Sequence, residues 1–258
     1  MEKLFFFDID GTIAQGRSIP QDNIDVLKKL HALGHYTFIC TGRPIQYAQG
    51  LFGHLVDGYI TSNGRQAYFH DQQILDKPLT KEEIYKFIQI CQSVDCHYGF
   101  VGSHEGYISA VSDELLTQLN RAYKSDHFFK RDWKPEKITA YIFDIFYKDD
   151  KHFKQIQEAF KEEVILNDHH GAFSADATTI NHDKGDGIKS VLKYLKMEDH
   201  DSYAFGDGSN DLCMFKAVKN KIAMGNAIDL LKENATYVTA DFQDQGITKA
   251  LKHFQIIE

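Results

Sequence analysis

Phe5-Phe6-Phe7-Asp8-Ile9-Asp10-Gly11-Thr12 constrains this chain more than any other stretch. Three apolar aromatics run straight into two carboxylates, a glycine and a threonine. A short apolar run bounded by turn signals reads as a strand buried on both faces. The acids then fall where that strand ends, at the edge where open parallel sheets bind ligands. An unpaired carboxylate beside a buried aromatic run is costly, and a cation would remove the cost. Asp-Gly is also a common turn pair, so the octet alone reads as well as a capped turn. The rest of the chain separates the two readings.

The same pattern recurs. Ile24, Leu27 and Leu30 sit at helical spacing within residues 21–33, with Pro20 at the start and Gly34 past the end. Residues 36–40 read as a second strand, ending in Thr41-Gly42-Arg43-Pro44, and a helix follows to about Phe52. Residues 59–61 read as a third strand, ending in Ser62-Asn63-Gly64. Strand and helix alternate, which predicts a parallel sheet with right-handed crossovers. Residues 65–70 and 73–79 read as a hairpin. Near Thr80 the pattern changes. Thr80 and Glu83 form a capping box opening a helix with Ile84, Phe87, Ile88 and Cys91 inward. Beyond it, strands at 97–101, 107–111, 138–147, 164–166 and 172–175 and a helix at 150–160 mix less regularly.

Alternation returns at Lys184, with a helical stripe of Ile188, Val191, Leu192 and Leu195. Residues 203–205 form a strand that runs into Gly206-Asp207-Gly208-Ser209-Asn210-Asp211. A helix with Leu212, Met214 and Phe215 follows, then a strand at 221–224, a helix at 228–234, a strand at 237–239 and a closing helix at 245–254. The expected architecture is an α/β, Rossmann-like parallel-sheet core of residues 1–80 and 184–258, with an α+β domain of residues 81–183 inserted into it. A chain of 258 residues with 43% hydrophobic content supports one or two such domains.

Four polar clusters thus lie at strand ends or helix starts: Asp8/Asp10, Thr41/Gly42, Lys184, and Asp207/Asn210/Asp211. Asp8, Asp207 and Asp211 offer hard oxygen ligands, which suit Mg²⁺ better than zinc. Thr41, Gly42, Lys184 and Asn210 offer donors. Carboxylates and donors around a hard cation suit a phosphate ester, whose dianion the cation would screen from the acids. Charge bears on partners: 37 acids against 29 bases give a net −8. Such a chain repels nucleic-acid phosphate and anionic membrane, so neither is an expected partner, and an anionic substrate requires local positive charge at the site. No apolar run reaches membrane-spanning length, and the N-terminus lacks a signal-peptide pattern. Cys40, Cys91, Cys96 and Cys213 form no C-x-x-C pair, which fits free thiols in a reducing cytoplasm. Nothing in the sequence fixes an oligomeric state.

Competing readings of single features fall away or stay open. Gly206-x-Gly208 lacks the third glycine of a dinucleotide fingerprint. Cys40 lies too close to Arg43 to close a cysteine-phosphatase loop and reads as a small buried apolar residue. His169-His170 and His182 lack the cysteines or spaced acids of a metal site and read as loop or surface residues. Lys184 opposes the dipole at its helix start, which counts for function. Arg43 and Asn63 fall beside the site, with lining and structural hydrogen-bond roles both open. Trp133 and the tyrosines of the middle block read as its core, with stacking on a substrate left open for one or two.

Together, D-x-D-G-T at 8–12, T-G-R-P at 41–44, Lys184-Gly185 at a helix start and G-D-G-x-N-D at 206–211 resemble the haloacid dehalogenase superfamily. Their order is similar to its Cof-type phosphatase branch, as are Ser62-Asn63-Gly64, Ala223-Met224-Gly225-Asn226-Ala227 and Tyr237-Val238-Thr239. The likeness covers nearly all of residues 1–79 and 183–258, and the middle block stands where that branch carries a large cap domain. Asn181-His182-Asp183 departs from the Gly-Val-Ser-like run the branch more often has before its lysine. The resemblance implies that Asp8 is a nucleophile forming an aspartyl-phosphate, and that Asp10 is the acid protonating the leaving oxygen and then the base activating water. It implies phosphate binding by Thr41, Gly42, Lys184 and Asn210. It implies Mg²⁺ held by Asp8, the Asp10 carbonyl and Asp207, with Asp211 as ligand or one step behind. An acid at position 10 favours ester over carbon–halogen cleavage, because an alkoxide needs a proton and a halide does not. The implied activity is Mg²⁺-dependent hydrolysis of a small phosphorylated metabolite, a sugar phosphate ahead of a phosphorylated cofactor, with the cap excluding water and setting specificity. A phosphosugar mutase and a non-catalytic phosphometabolite sensor are the alternatives.

Overall fold

Leu4, Phe5, Phe6 and Phe7 are each fully shielded from solvent, and they form the strand on which the computed structural model is built. The structure describes residues 2–123, 125–169 and 171–258. The chain divides into two compact units, Met1–Asp76 with Asp183–Glu258, and Lys77–His182.

The first unit opens with β1 (Leu4–Phe7), α1 (Gln21–Ala32), β2 (Tyr36–Cys40), α2 (Ile45–Phe52), β3 (Gly58–Thr61), β4 (Gln66–Phe69) and β5 (Gln72–Asp76). The second unit carries α3 (Lys81–Ser93), β6 (His97–Val101), β7 (Gly106–Ile108), α4 (Asp113–Ala122), β8 (Phe129–Lys130), β9 (Ile142–Phe146), α5 (Asp150–Phe160), β10 (Val164–Asp168) and β11 (Ser174–Thr179). The first unit resumes with α6 (Lys184–Leu195), β12 (Ser202–Gly206), α7 (Leu212–Phe215), β13 (Asn220–Ala223), α8 (Asp229–Glu233), β14 (Tyr237–Val238) and α9 (Gly246–His253).

In the first unit the sheet order is β14-β13-β12-β1-β2-β3-β4-β5 among the described residues. The strands from β14 to β3 are parallel, and β4 and β5 add an antiparallel hairpin at the edge. Strand alternation sends Leu4 and Phe6 into one core with Ile188, Val191 and Leu192 of α6. It sends Phe5 and Phe7 into the other, with Val26, Leu27 and Leu30 of α1 and Leu251 of α9. Each buried phenylalanine contributes roughly 1.5–3 kcal/mol, so β1 is held firmly from both faces. The chain builds outward from β1 to β2 and β3 on one side and from β12 to β13 and β14 on the other. The order therefore reverses between β1 and β12, and such a reversal opens a crevice at the strand carboxyl ends. No helix among the described residues is long and apolar enough to cross a membrane.

The second unit is a sheet of order β10-β11-β9-β6-β7-β8. Ile84 and Phe87 of α3 and Ile156 and Phe160 of α5 pack with Phe100, Phe143 and Ile145. Leu116 and Leu119 of α4 pack with Val101, Ile108 and Ile142. Trp133 meets Tyr98, Phe100 and Tyr107 edge-on or tilted and donates to the Ile108 carbonyl at 2.9 Å, so it is a structural residue of this unit.

Several boundaries differ from those expected. The strand read at 138–147 is Ile142–Phe146, because the Leu79 N–H binds the Ala140 carbonyl and Tyr141 already turns toward Val101. The strand read at 172–175 is Ser174–Thr179, paired on both sides by β9 and β10, with Gly171 and Phe173 at positive φ making the turn into it. The strand read at 107–111 ends at Ile108, and α4 and β8 had no counterpart in the sequence reading. His169 lies between Ser174 and Asp176, His182 is buried, and His170 falls outside the described residues.

Candidate active site

Asp8 follows β1 directly and is 9% exposed. Its N–H continues the ladder to the Phe205 carbonyl at 3.0 Å, so the side chain leaves from the last paired position of the central strand. Lys184, at the first turn of α6, is 1% exposed and reaches the same point. Its Nζ donates to Oδ1 of Asp8 and to Oδ1 of Asp211, each at 2.7 Å. Asp183 caps α6 by accepting from the Asp186 N–H, which fixes the helix start that carries the lysine.

Asp207 and Asp211 come from the turn after β12. Oδ2 of Asp211 accepts the N–H groups of Asp207 and Gly208 at 3.0 Å each, and Asp211 is fully buried. Both of its oxygens are thus engaged, one by Lys184 and one by the loop. Oδ1 of Asp207 accepts from the Thr12 hydroxyl at 3.0 Å. Gly11 has φ +79°, and a Cβ there would lie 2.4 Å from Oδ2 of Asp207, so only glycine lets the two loops meet this closely. The Asn226 amide secures the same loop, donating to the Gly11 carbonyl at 2.9 Å.

Asp10 faces elsewhere. Its Oδ1 accepts the Gly16 N–H at 3.2 Å, and its Oδ2 accepts Nε of Arg43 at 3.0 Å. The second guanidinium nitrogen of Arg43 also lies 3.0 Å from that oxygen. Thr41 is buried, and its hydroxyl accepts the Arg43 N–H at 3.1 Å. Ser62, Asn63 and Gly64 all have positive φ, and their turn returns hydrogen bonds to the Arg43 and Thr41 carbonyls. Gly42 packs against Asn63, and Asn210 lies on the turn between Asp207 and Asp211. The candidate site residues Asp8, Asp10, Thr41, Gly42, Lys184, Asp207, Asn210 and Asp211 thus all belong to the first unit, after β1, β2 and β12 or at the start of α6. Cys40, expected as a small buried apolar residue, is fully buried, and burial pushes its thiol well up.

The charges do not balance. One oxygen from each of Asp8, Asp207 and Asp211 lies within 4.8 Å of the others, and among the described residues the Lys184 ammonium pairs with Asp8 and Asp211 but not with Asp207. Burial would depress the Lys184 ammonium, but Asp211 and Asp8 outweigh it and hold the group well above the ordinary lysine range. Burial, then Asp211, pushes the Asp8 carboxyl up to about 8 against the pull of Lys184. Burial and Asp211 likewise push Asp207 up to about 6. With all three carboxyls ionised, one ammonium would leave two negative charges unmatched, which is the charge of one divalent cation; without a cation, the raised carboxyls of Asp8 and Asp207 relieve that imbalance by holding protons. The donors are hard oxygens, so the set fits Mg²⁺. Asp8 and Asp207 are the residues that would hold it through their uncommitted oxygens.

Three contacts here join residues that no local pattern in the sequence connects. Thr12 sits inside the first motif, yet its bond to Asp207 spans 195 residues of chain. The pairing of Arg43 with Asp10 spans 33 residues and that of Asn226 with Gly11 spans 215, and the folded topology brings each together.

Residues 5–251 match the family model for haloacid dehalogenase-like hydrolases. The Bacillus subtilis protein YkrA, provisionally classed among the phosphatases, is 29% identical over 258 residues that cover 99% of each chain. YwtE of the same organism, a 5-amino-6-(5-phospho-D-ribitylamino)uracil phosphatase, is 26% identical over 95% of each chain. Among solved structures, the HAD subclass IIB sugar phosphatase BT4131 superposes with a TM-score of 0.83 at 27% identity, covering 99% of this chain and all of that one.

Proposed function

Since the chain belongs to the haloacid dehalogenase-like hydrolases, as a phosphatase of their Cof-type branch, we propose that it hydrolyses a small phosphate monoester in a Mg²⁺-dependent reaction through an aspartyl-phosphate on Asp8. The observation that carries this reading is the buried Lys184 ammonium bonded to both Asp8 and Asp211. Such an arrangement holds a carboxylate oxygen ready at a point where a dianion's charge is partly met.

In this reading an oxygen of Asp8 attacks phosphorus, and the ester oxygen departs as the P–O bond breaks. Asp10, released from Arg43 and carrying the proton it took from water in the preceding turnover, gives that proton to the departing oxygen. The carboxylate left on Asp10 then takes a proton from the water that attacks phosphorus, and Asp8 is regenerated with release of inorganic phosphate. Lys184 neutralises phosphoryl oxygens as a point charge. Thr41, the Gly42 N–H and Asn210 hold the others. When bound, Mg²⁺ supplies screening between the acids and the phosphate dianion. Thr12 orients Asp207, and Asp211 orients Lys184 and the loop rather than offering an oxygen of its own.

The inserted unit, residues 77–182, is the part we assign to substrate selection. A sugar phosphate is favoured, in keeping with the sugar phosphatase to which this chain is similar. The test is phosphate release from a panel of small esters with Mg²⁺ and with EDTA. Magnesium-dependent release is expected, and release undiminished by EDTA would overturn the metal-dependent reading. Isomerised sugar phosphate without inorganic phosphate would identify a mutase instead.

A further inference from the structure

Gln15 and Ser18 pair through both backbone hydrogen bonds, at 3.0 and 3.1 Å, leaving Gly16-Arg17 as a two-residue turn. Gly16 has φ +57°, as the first central position of a tight hairpin turn requires. The Gly16 N–H is the group that binds Oδ1 of Asp10, and the Gly16 carbonyl accepts the Tyr47 hydroxyl at 2.7 Å. Arg17 at the turn tip lays its guanidinium on the Tyr47 ring, 4.8 Å from the centroid. Arg43 lies against the same ring at 4.4 Å.

Two cations on one ring repel each other, and they differ in how they are met. Arg43 is paired with Asp10, whereas no carboxylate among the described residues pairs with Arg17. The chain carries a net charge of −8, so an exposed arginine with no carboxylate partner among the described residues stands out against its surroundings. The Tyr47 ring and the closed turn restrict the guanidinium before any ligand arrives, which lowers the cost of binding. Its planar fork suits a carboxylate or a phosphate.

We propose that Arg17, seated on Tyr47, is a second anion site beside Asp10, and that the preferred ester carries a carboxylate or a second phosphate on its leaving group. The inference rests on the roles given above to Asp8 and Asp10. Asp10 handles the leaving oxygen, and the residue before Arg17 touches Asp10. Substituents on that oxygen therefore fall on the side of Arg17, away from the phosphoryl group held near Lys184. A phosphorylated sugar acid or a bisphosphate is the class that would fit.

The test uses p-nitrophenyl phosphate turnover as the reporter and two competitors of one carbon skeleton, 3-phosphoglycerate and glycerol 3-phosphate. Both compete whether or not they are turned over. The wild-type protein is expected to bind 3-phosphoglycerate about tenfold more tightly, as one charge-assisted fork contact implies. In Arg17→Gln that ratio falls to near one, and Arg17→Lys restores part of it. The ratio is internal to each protein, so it does not depend on how much enzyme is active. Equal competition in the wild type, or an unchanged ratio in Arg17→Gln, would overturn the inference. Absence of reporter turnover in the wild type would instead overturn the roles of Asp8 and Asp10 on which it rests.

Discussion

Lys184 donates to Oδ1 of Asp8 at 2.7 Å although 176 residues separate them. The contact exists because α6 begins against the turn at Gly64, within reach of a lysine side chain from Asp8, and because Asp211 draws the same ammonium as well. Replacing the lysine leaves two buried carboxylates facing each other. Lys184→Met is expected to cost about 3–5 kcal/mol, the usual penalty for breaking a buried pair from one side. A clear fall in melting temperature would show it, together with loss of phosphate release. An unchanged melting temperature would mean the ammonium is not balancing those charges.

Acid–base linkage gives a second prediction. The Asp8 carboxyl sits at about 8 and that of Asp207 at about 6, both above the range of an unfolded chain. Between the unfolded and folded values the native protein holds more protons than the denatured one. The contribution is therefore fully present below about pH 4 and is lost as pH rises, toward 6 for Asp207 and 8 for Asp8. The slope is at most about 1.4 kcal/mol per pH unit for each proton. Lys184, held above the ordinary lysine range, acts only in alkali and does not cancel it. Metal-free protein is expected to lose thermal stability from pH 5 toward pH 8, and millimolar Mg²⁺ to flatten the decline. A flat profile in EDTA would contradict the charge imbalance.

The Thr12 hydroxyl meets Oδ1 of Asp207 from a fully buried position. Thr12→Val keeps the shape and removes the donor. Partners of this kind typically change metal affinity by about 10–100-fold. The Mg²⁺ concentration giving half-maximal activity should rise about tenfold, with smaller change at saturating Mg²⁺. An unaltered Mg²⁺ requirement would remove Thr12 from the account.

How much of this was legible beforehand depended on sequence distance. The strands β1, β2 and β12 announce themselves, since burial on both faces leaves continuous apolar runs ending abruptly in polar residues. The same cue marks the clusters at those ends, Asp8, Thr41 and Asp207, whereas Lys184 is marked by the helical stripe that it opens. The second unit was harder. The limits of β9 and β11 are set by which strands pair with them, and β8 is two residues long. Helix α4 buries only a narrow stripe through Leu116 and Leu119, too little to mark it plainly. The sequence places Arg43 beside the site, but its pairing with Asp10 depends on how the loops after β1 and β2 approach.

Gly64 tests that dependence of site on fold. Its φ is +89°, and a Cβ would stand 2.1 Å from the Asp183 carbonyl, which is backbone and cannot swing away. Gly64→Ala should therefore displace the start of α6 and with it Lys184. Reduced stability, by about 1–3 kcal/mol for strain at such a position, should accompany reduced turnover. Wild-type turnover in a stable variant would show that the turn at residues 62–64 does not position the lysine.

The central claim is that phosphate passes through Asp8. The direct measurement is acid quench of a single turnover with ³²P-labelled ester, followed by mapping of the labelled peptide. The account predicts transient label on the peptide carrying Asp8, and neither label nor phosphate release in Asp8→Asn. Phosphate release at the wild-type rate from Asp8→Asn, with no labelled peptide in either protein, would contradict it.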